Sequence, residues 1–169
     1  MSTQEKDKVL DKVVIRFSGD SGDGMQLTGT LFSNTVALEG NDLATFPDYP
    51  SEIRAPQGTV GGVSGFQVHF GKDIHHSGDT ADVLVAMNPA ALRANSKMIK
   101  PGAIVIYNSD TFDRGLLKKA GYLTDDPFAE DKLESHQLIA APITTLCREV
   151  LKDIHLDNKS VLRTRNMFA

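Results

Sequence analysis

The chain carries one cysteine, Cys147, among 169 residues. A lone thiol closes no internal disulfide, and an iron–sulfur cluster takes about four cysteine ligands. Neither cross-link therefore belongs to this chain by itself. Cys147 falls on the apolar side of a helical pattern with Ile143, Leu146, Val150, Leu151 and Ile154, where a buried packing role fits. An excess of positive charge is missing too: 18 Lys and Arg stand against 22 Asp and Glu, for a net charge of −4, and no basic cluster stands out. A nucleic-acid surface needs a Lys/Arg stripe to displace counterions, so that class of partner is excluded. No apolar run is long enough to cross a bilayer. Residues 1–12 are polar and charged, without the apolar stretch of a secretory signal. They read as a flexible lead-in, and the expected compartment is the cytoplasm, with no membrane partner. Internal repeats and low-complexity segments are also absent. The length suits one domain around one core.

What the chain does have is a glycine-rich turn between a strand pattern and a helix pattern. Val13 to Phe17 is an apolar run that reads as a buried strand; Gly19, Gly22, Gly24 and Gly29 follow, and a helical pattern starts near Gly24. Strand, glycine loop and helix in that order aim backbone N–H groups and a helix N-terminus at an anion. The spacing G-x-x-G-x-G is not the dinucleotide fingerprint, whose third glycine would fall on Leu27, and no Gly-Lys-Ser/Thr follows to make a Walker loop. A second reading stands beside the first. Asp23 with Gln26 three residues on makes a capping box, which consumes the N–H groups a phosphate wants. Asp20 and Asp23 also bring negative charge to the same place. From these residues alone, an anion site and a capped structural turn are both open.

The rest of the chain alternates between strand and helix patterns. The first helix is predicted from Gly24 to Glu39, with Gly40-Asn41 as its stop, and a short strand from Asp42 to Phe46 follows. Pro47, Pro50 and Pro56 exclude a long helix and leave a loop over 47–58. In an extended chain Glu52 and Arg54 share one face there, as a surface ion pair or as part of a recognition loop. In the strand expected over 59–70, Phe66, Val68 and Phe70 alternate with Gln67 and His69. His75-His76 reads as a solvated turn, because adjacent side chains diverge and nothing nearby completes a metal site. Asp82 to Met87 and Ala103 to Tyr107 are continuous apolar runs, the pattern of strands covered on both faces. Asn88-Pro89 starts a helix that is predicted to run to about Ile99. A helix over 111–120, an acidic irregular stretch over 124–136, a strand over 138–141 and a strongly periodic helix over 142–154 complete the pattern. The expected fold is α/β, a mostly parallel sheet flanked by helices, with the glycine loop after the first strand. In such sheets the ligand crevice lies at the carboxyl ends of the strands. That brings the loop 18–24, the exit at Met87-Asn88 and the exit at Asn108-Ser109 to one edge.

Three stretches carry a resemblance to a known family. Arg16-Phe17-Ser18-Gly19-Asp20-Ser21-Gly22-Asp23-Gly24, Phe46-Pro47-Asp48-Tyr49-Pro50-Ser51-Glu52-Ile53-Arg54-Ala55-Pro56 and Gly62-Val63-Ser64-Gly65-Phe66-Gln67-Val68-His69-Phe70 closely resemble the gamma-type domain of 2-oxoacid:ferredoxin oxidoreductases. The form it looks like is the one found at the N-terminus of the alpha subunit of 2-oxoglutarate-type enzymes. The resemblance covers nearly the whole chain and is most specific over 46–70. It implies a gamma-type α/β domain over 13–156, with residues 157–169 starting a linker to a missing transketolase-like domain. It implies an enzyme complex that oxidatively decarboxylates a 2-oxoacid on thiamine diphosphate, passes electrons through iron–sulfur clusters to ferredoxin, and hands the acyl group to coenzyme A.

The part implied for this chain is to help hold coenzyme A. The positions carried over are Gly19, Asp20, Ser21, Gly22, Asp23 and Gly24, with Gln26 and Thr28 beside them; Ser21 and backbone N–H groups would face a phosphate. Ser51, Glu52 and Arg54 match the second motif of the family and are assigned to the cofactor edge or to subunit contact. Thiamine diphosphate, Mg2+ and the iron–sulfur cluster are expected in partner domains, namely the transketolase-like domain of the same subunit and a thiamine diphosphate-binding beta subunit. This chain has no cluster cysteines, and no Asn-Asn follows Gly22-Asp23-Gly24 at the distance of the thiamine diphosphate motif. No catalytic or metal-binding residue is assigned, and the chain alone is expected to be inactive. The alternative is a non-catalytic scaffold domain of the same complex with no ligand of its own.

Overall fold

A computed structural model describes residues 10–52, 54–154 and 156–169. Most of the lead-in expected over 1–12 lies outside the described residues, and at Lys12 the first strand has already begun. That strand, β1 (Lys12–Asp20), outruns its apolar core. Ser18, Gly19 and Asp20 keep pairing with β3 (Val63–Gly71), at Gly65, Ser64 and Val63. The glycine loop is correspondingly short.

Among the described residues six strands lie in the order β2 (Asp42–Asp48), β3, β1, β4 (Ala81–Ala86), β5 (Ile99–Asn108), β6 (Gln137–Ala141). Only β3 runs against its neighbours; β1, β4, β5 and β6 pair in parallel. The fold is therefore α/β with a mostly parallel sheet, as the alternation of patterns predicts. β2 continues through Pro47 to Asp48, past the expected end at Phe46, because an edge strand tolerates a missing N–H.

Helices cover both faces. α1 (Met25–Leu38) lies over Phe17, Phe66, Val68 and Val85. It comes close because Gly29 has no side chain: a Cβ there would stand 2.1 Å from the Phe66 ring. On the same side lie α5 (Ile143–Leu151), α6 (Asn158–Arg163) and a 3-10 turn at Thr164–Met167. The opposite face, with Val14, Leu84, Ala86 and Val105, is covered by α2 (Pro89–Asn95) and α3 (Arg114–Lys119). Gln67 and His69 point to that side, where Gln67 Nε2 donates to Ser77 O and Gly78 O at 2.9 and 2.7 Å, and His69 Nδ1 lies 2.7 Å from His76 O. The turn carrying His75 and His76 is thereby fastened to the sheet.

Four further departures from the sequence expectation each have a local reason. α2 stops at Asn95 rather than near Ile99, because a turn from Asn95 O to Met98 N leads Ile99 into β5 as a buried residue. The helix expected from Thr111 starts at Arg114, where Asp113 accepts from the N–H groups of Gly115 and Leu116. The acidic stretch holds a short helix, α4 (Pro127–Glu130), capped by Asp126; Arg93 bridges Glu130 and Asp131 at 2.8 and 3.0 Å. α5 ends at Leu151, and its apolar stripe is half covered: Ile143 and Cys147 are buried, while Leu146, Val150 and Ile154 are exposed. Among the described residues no helix is long and apolar enough to cross a membrane.

Candidate functional site

β1 delivers Asp20 to the carboxyl edge of the sheet, buried, with both carboxylate oxygens accepting from Gly58 N–H at 3.2 and 3.1 Å. This contact draws the proline-rich loop against the glycine loop. Ser21 N–H adds a second tie, donating to Gly62 O at 3.1 Å. The chain then turns through Ser21 and Gly22, both exposed, into Asp23, which is buried. Asp23 Oδ2 accepts from Asp20 N–H at 3.0 Å, and Oδ1 accepts from Arg165 Nη2 at 2.7 Å. α1 opens at Gly24, whose φ of 76° is a left-handed conformation that glycine adopts at no steric cost.

The capping box expected from Asp23 and Gln26 does not form. No side chain caps α1, because both oxygens of Asp23 are already engaged elsewhere. Gln26 turns the other way, and its Nε2 donates to Asp48 O and Ser64 Oγ, both at 3.1 Å, and to Gly65 O at 2.8 Å. Thr28 is also used internally: its Oγ1 donates to Asn166 O at 2.8 Å. Gln26 and Thr28 thus brace the loop from behind and stand apart from its open tip.

The two aspartates share a small cavity of about 80 Å³ with Gln57, Asn88, Thr111 and Arg165. The carboxyl ends of β1 and β4 and the exit of β5 meet there, since Thr111 Oγ1 donates to Met87 O at 2.8 Å and to Asn108 O at 2.9 Å. Burial raises the pKa of Asp20, and the nearby Asp23 charge raises it further; Gly58 N–H, Asn88 and Arg165 oppose the shift. Burial likewise raises Asp23, against the pull of Arg165 and of Asp20 N–H.

Ser51, Glu52 and Arg54 are exposed on the neighbouring loop. Ser51 Oγ donates to Gly61 O at 3.4 Å and Glu52 N–H to the same oxygen at 3.1 Å, so they meet the glycine loop only through the Gly61-Gly62 turn. Arg54 has a φ of 65°, which removes the extended geometry that would align it with Glu52. Among the described residues no ion pair joins the two. Ile53, between them, lies outside the described residues.

Several residues of the site carry little sequence signal. Arg165 and Asn166 come from the far end of the chain. Gly58 acts only through its N–H. Arg16 stands out more, as a charge inside an apolar strand. It is buried; its Nε donates to Asn95 Oδ1 and its Nη2 pairs with Asp48, passing over Gly65.

Residues 14–169 match the model of the family described as pyruvate ferredoxin/flavodoxin oxidoreductase. The chain belongs to that family. It is 51% identical over 161 residues to the 2-oxoglutarate oxidoreductase subunit KorA of Mycobacterium tuberculosis, covering 95% of this chain and 24% of that protein. It is 29% identical over 118 residues to the ketoisovalerate oxidoreductase subunit VorA of Methanothermobacter thermautotrophicus, covering 68% of this chain and 24% of that one. The chain thus spans about a quarter of the length of these curated relatives. Two solved oxidoreductases share its fold. One is the 2-oxoglutarate:ferredoxin oxidoreductase from Magnetococcus marinus with 2-oxoglutarate, coenzyme A and succinyl-CoA bound; the TM-score is 0.65 at 22% identity, over 94% of this chain and 23% of that one. The other is the gamma subunit of a keto/oxoacid ferredoxin oxidoreductase from Geobacter sulfurreducens, with a TM-score of 0.59 at 20% identity, over 90% of this chain and 71% of that one.

Proposed function

We propose that this chain is the gamma-type domain of a 2-oxoglutarate:ferredoxin oxidoreductase, and that its glycine loop contributes to the coenzyme A site in oxidative decarboxylation to the acyl-CoA. The observation that carries the reading is the 51% identity to a 2-oxoglutarate oxidoreductase subunit over 95% of this chain. The geometry supports it. The aspartates that would repel a phosphate are turned inward, Asp23 onto Arg165 and Asp20 onto Gly58 N–H. Ser21 and Gly22 are left at an exposed tip beside a helix start with no side-chain cap. Backbone N–H groups in that setting suit an anion. In this reading, within the loop from Gly19 to Gly24, the Ser21 hydroxyl and the N–H groups of Gly22 and Gly24 face a phosphate, since those of Asp20, Ser21 and Asp23 are bonded to Asp23 Oδ2, Gly62 O and Asp20 O; Gln26 and Thr28 serve as braces. Ser51, Glu52 and Arg54 form the cofactor edge or a subunit contact.

Thiamine diphosphate with Mg2+ and an iron–sulfur cluster belong in partner domains, where they supply decarboxylation and electron transfer to ferredoxin. One buried cysteine is too few ligands for a cluster. The proposed partners are a transketolase-like domain beyond residues 157–169 and a thiamine diphosphate-binding beta subunit, in the cytoplasm; this chain alone is inactive.

The internal bonding of Gln26 and Thr28 favours a second reading, a scaffold without a ligand of its own. One substitution separates the two. No atom lies within 4 Å of where a Cβ on Gly22 would be, so Gly22→Val changes only what meets the loop from outside. The test is calorimetric titration of the assembled complex with coenzyme A, with ADP as competitor. The coenzyme A reading expects binding that ADP competes and that Gly22→Val weakens about tenfold. Unchanged affinity together with failed assembly selects the scaffold.

A further inference from the structure

α1 buries Met25, Thr28, Gly29, Ser33 and Val36. On its outer side Leu27, Leu31 and Leu38 are 51%, 39% and 89% exposed. With the exposed Asn34 they recur at intervals of four, three and four residues, the seam along which one helix packs against another. Thr30 and Thr35 flank that seam, and none of the 14 residues of α1 carries a charge. A surface helix ordinarily turns charged residues to water, and depletion of charge marks the core of an interface. α5 shows the contrast: its exposed Leu146 and Val150 stand among the exposed Arg148, Glu149 and Lys152, as on an ordinary solvated surface.

Beside the seam runs a groove of about 180 Å³, lined by Phe17, Thr28, Leu31, Thr35, Met167 and Ala169. One wall is α1 and the other is the last turn of the described chain, where Met167 is 61% exposed. The curated relatives are about four times as long as the stretch that matches them. In a subunit of that length the chain leaves Ala169 from this groove. Size narrows the occupant further. Leu27, Leu31, Asn34, Leu38 and Met167 make a small patch, whereas a stable interface between separate chains takes about 20–30 residues a side. A tethered partner needs less. It acts at about millimolar concentration, so a contact with an intrinsic dissociation constant of roughly 0.1 mM stays closed about ten times as long as it stays open.

We propose that the outer face of α1 docks the domain that follows residue 169 in the full-length subunit, by an apolar helix of that domain laid along Leu27, Leu31 and Leu38. This rests on the proposed function above, which places such a domain there. A charge on the seam would lose its water on docking without gaining a partner, and α1 carries none.

The experiment follows single thiols in the 169-residue chain, the full-length subunit and the assembled complex. Leu31→Cys and Leu38→Cys report on the face. Leu123→Cys, almost fully exposed beyond α3, reports general access. Maleimide labelling is timed and located by peptide mass, so every other cysteine is read separately. The two α1 thiols should label about tenfold more slowly in the full-length subunit than in the 169-residue chain, before any beta subunit is added. Leu123→Cys should keep its rate. Leu27→Lys, combined with Leu38→Cys in the full-length subunit, should restore most of the rate of the 169-residue chain. If Leu31→Cys disturbs the groove and the chain does not fold, Leu38→Cys at the exposed helix end carries the comparison. Equal rates in the chain and the subunit overturn the proposal. Protection that appears only with the beta subunit overturns it in favour of that subunit, and protection in the 169-residue chain that grows with its concentration overturns it in favour of a second copy. Slower labelling of Leu123→Cys to the same extent overturns the choice of face. Coenzyme A titration of the same complex separates this from the function it rests on. Protected thiols without coenzyme A binding count against the coenzyme A reading and leave the docking standing; binding with both thiols freely labelled overturns the docking alone.

Discussion

Asp20 and Asp23 are held at the carboxyl edge of the sheet, largely out of water, so each binds its proton more tightly in the folded chain than in the unfolded one. The sign of the consequence follows from linkage. A carboxyl group whose folded pKa is raised disfavours folding fully above that pKa, and the penalty disappears as pH falls through it toward the ordinary carboxylate range. These two groups therefore oppose the usual acid denaturation. Asp20→Asn keeps an oxygen for Gly58 N–H and removes the charge. It should raise the melting temperature at neutral pH, and the gain should shrink as pH falls through the raised folded pKa toward the ordinary carboxylate range, as the wild-type carboxyl takes up its proton. Thermal unfolding of both proteins across that range checks this; a gain independent of pH would mean that the charge on Asp20 is not what burial penalises.

At the scale of elements, the approach of α1 to β3 depends on one missing side chain. A methyl on Gly29 would overlap the Phe66 ring, itself buried against Phe17 and Val68, and the helix would have to move outward. Gly29→Ala should cost about 1–3 kcal/mol, as overpacking does, and lower the urea midpoint without changing the slope. The placement of this helix was legible in the sequence, as were β4 and the core of β5. An apolar run with no polar interruption between two turn signals leaves a strand little choice but burial on both faces. Asn88-Pro89 was equally plain, and Asn88 Oδ1 accepts from Ala91 N–H at 2.8 Å. The capping of α1 was not. Asp23 and Gln26 have the spacing of a capping box, but that spacing says nothing about what else competes for their polar atoms. Asp20 N–H and Arg165 take the first, and Asp48, Ser64 and Gly65 take the second. Glu52 and Arg54 fail as an aligned pair for a similar reason, since a positive φ at Arg54 is invisible to strand alternation.

Over the whole molecule, the last residues close the fold onto its first element. The contact between Arg165 and Asp23 spans 142 positions, and local sequence patterns carry no signal at that range. The segment 157–169 therefore reads as a connector in the sequence, yet α6 and the turn after it pack onto α1 and α5. Phe168 joins the cluster of Phe17 and Met25, and Val161 is buried. Cys147 Sγ lies 3.1 Å from Val161 O and 3.0 Å from Thr164 Oγ1, so the same segment covers the only thiol. Removing residues 157–169 should then have two linked effects. Fully burying a large apolar side chain is worth about 1.5–3 kcal/mol, so losing the buried Val161 and the half-buried Phe168 alone should cost roughly 2–4 kcal/mol, a large share of the 5–15 kcal/mol typical of a domain. The thiol should also become reachable. In the 169-residue chain Cys147 should react slowly with an aromatic disulfide reagent, at a rate set by opening of the fold, and the truncated chain should react much faster under conditions where it is still folded. A segment that merely led out of the domain would leave both the urea midpoint and the thiol rate where they were. A drop in the midpoint with the thiol still protected would mean that α5 alone shields Cys147, and that the closure runs through Arg165, Asn166 and Phe168 rather than through α6.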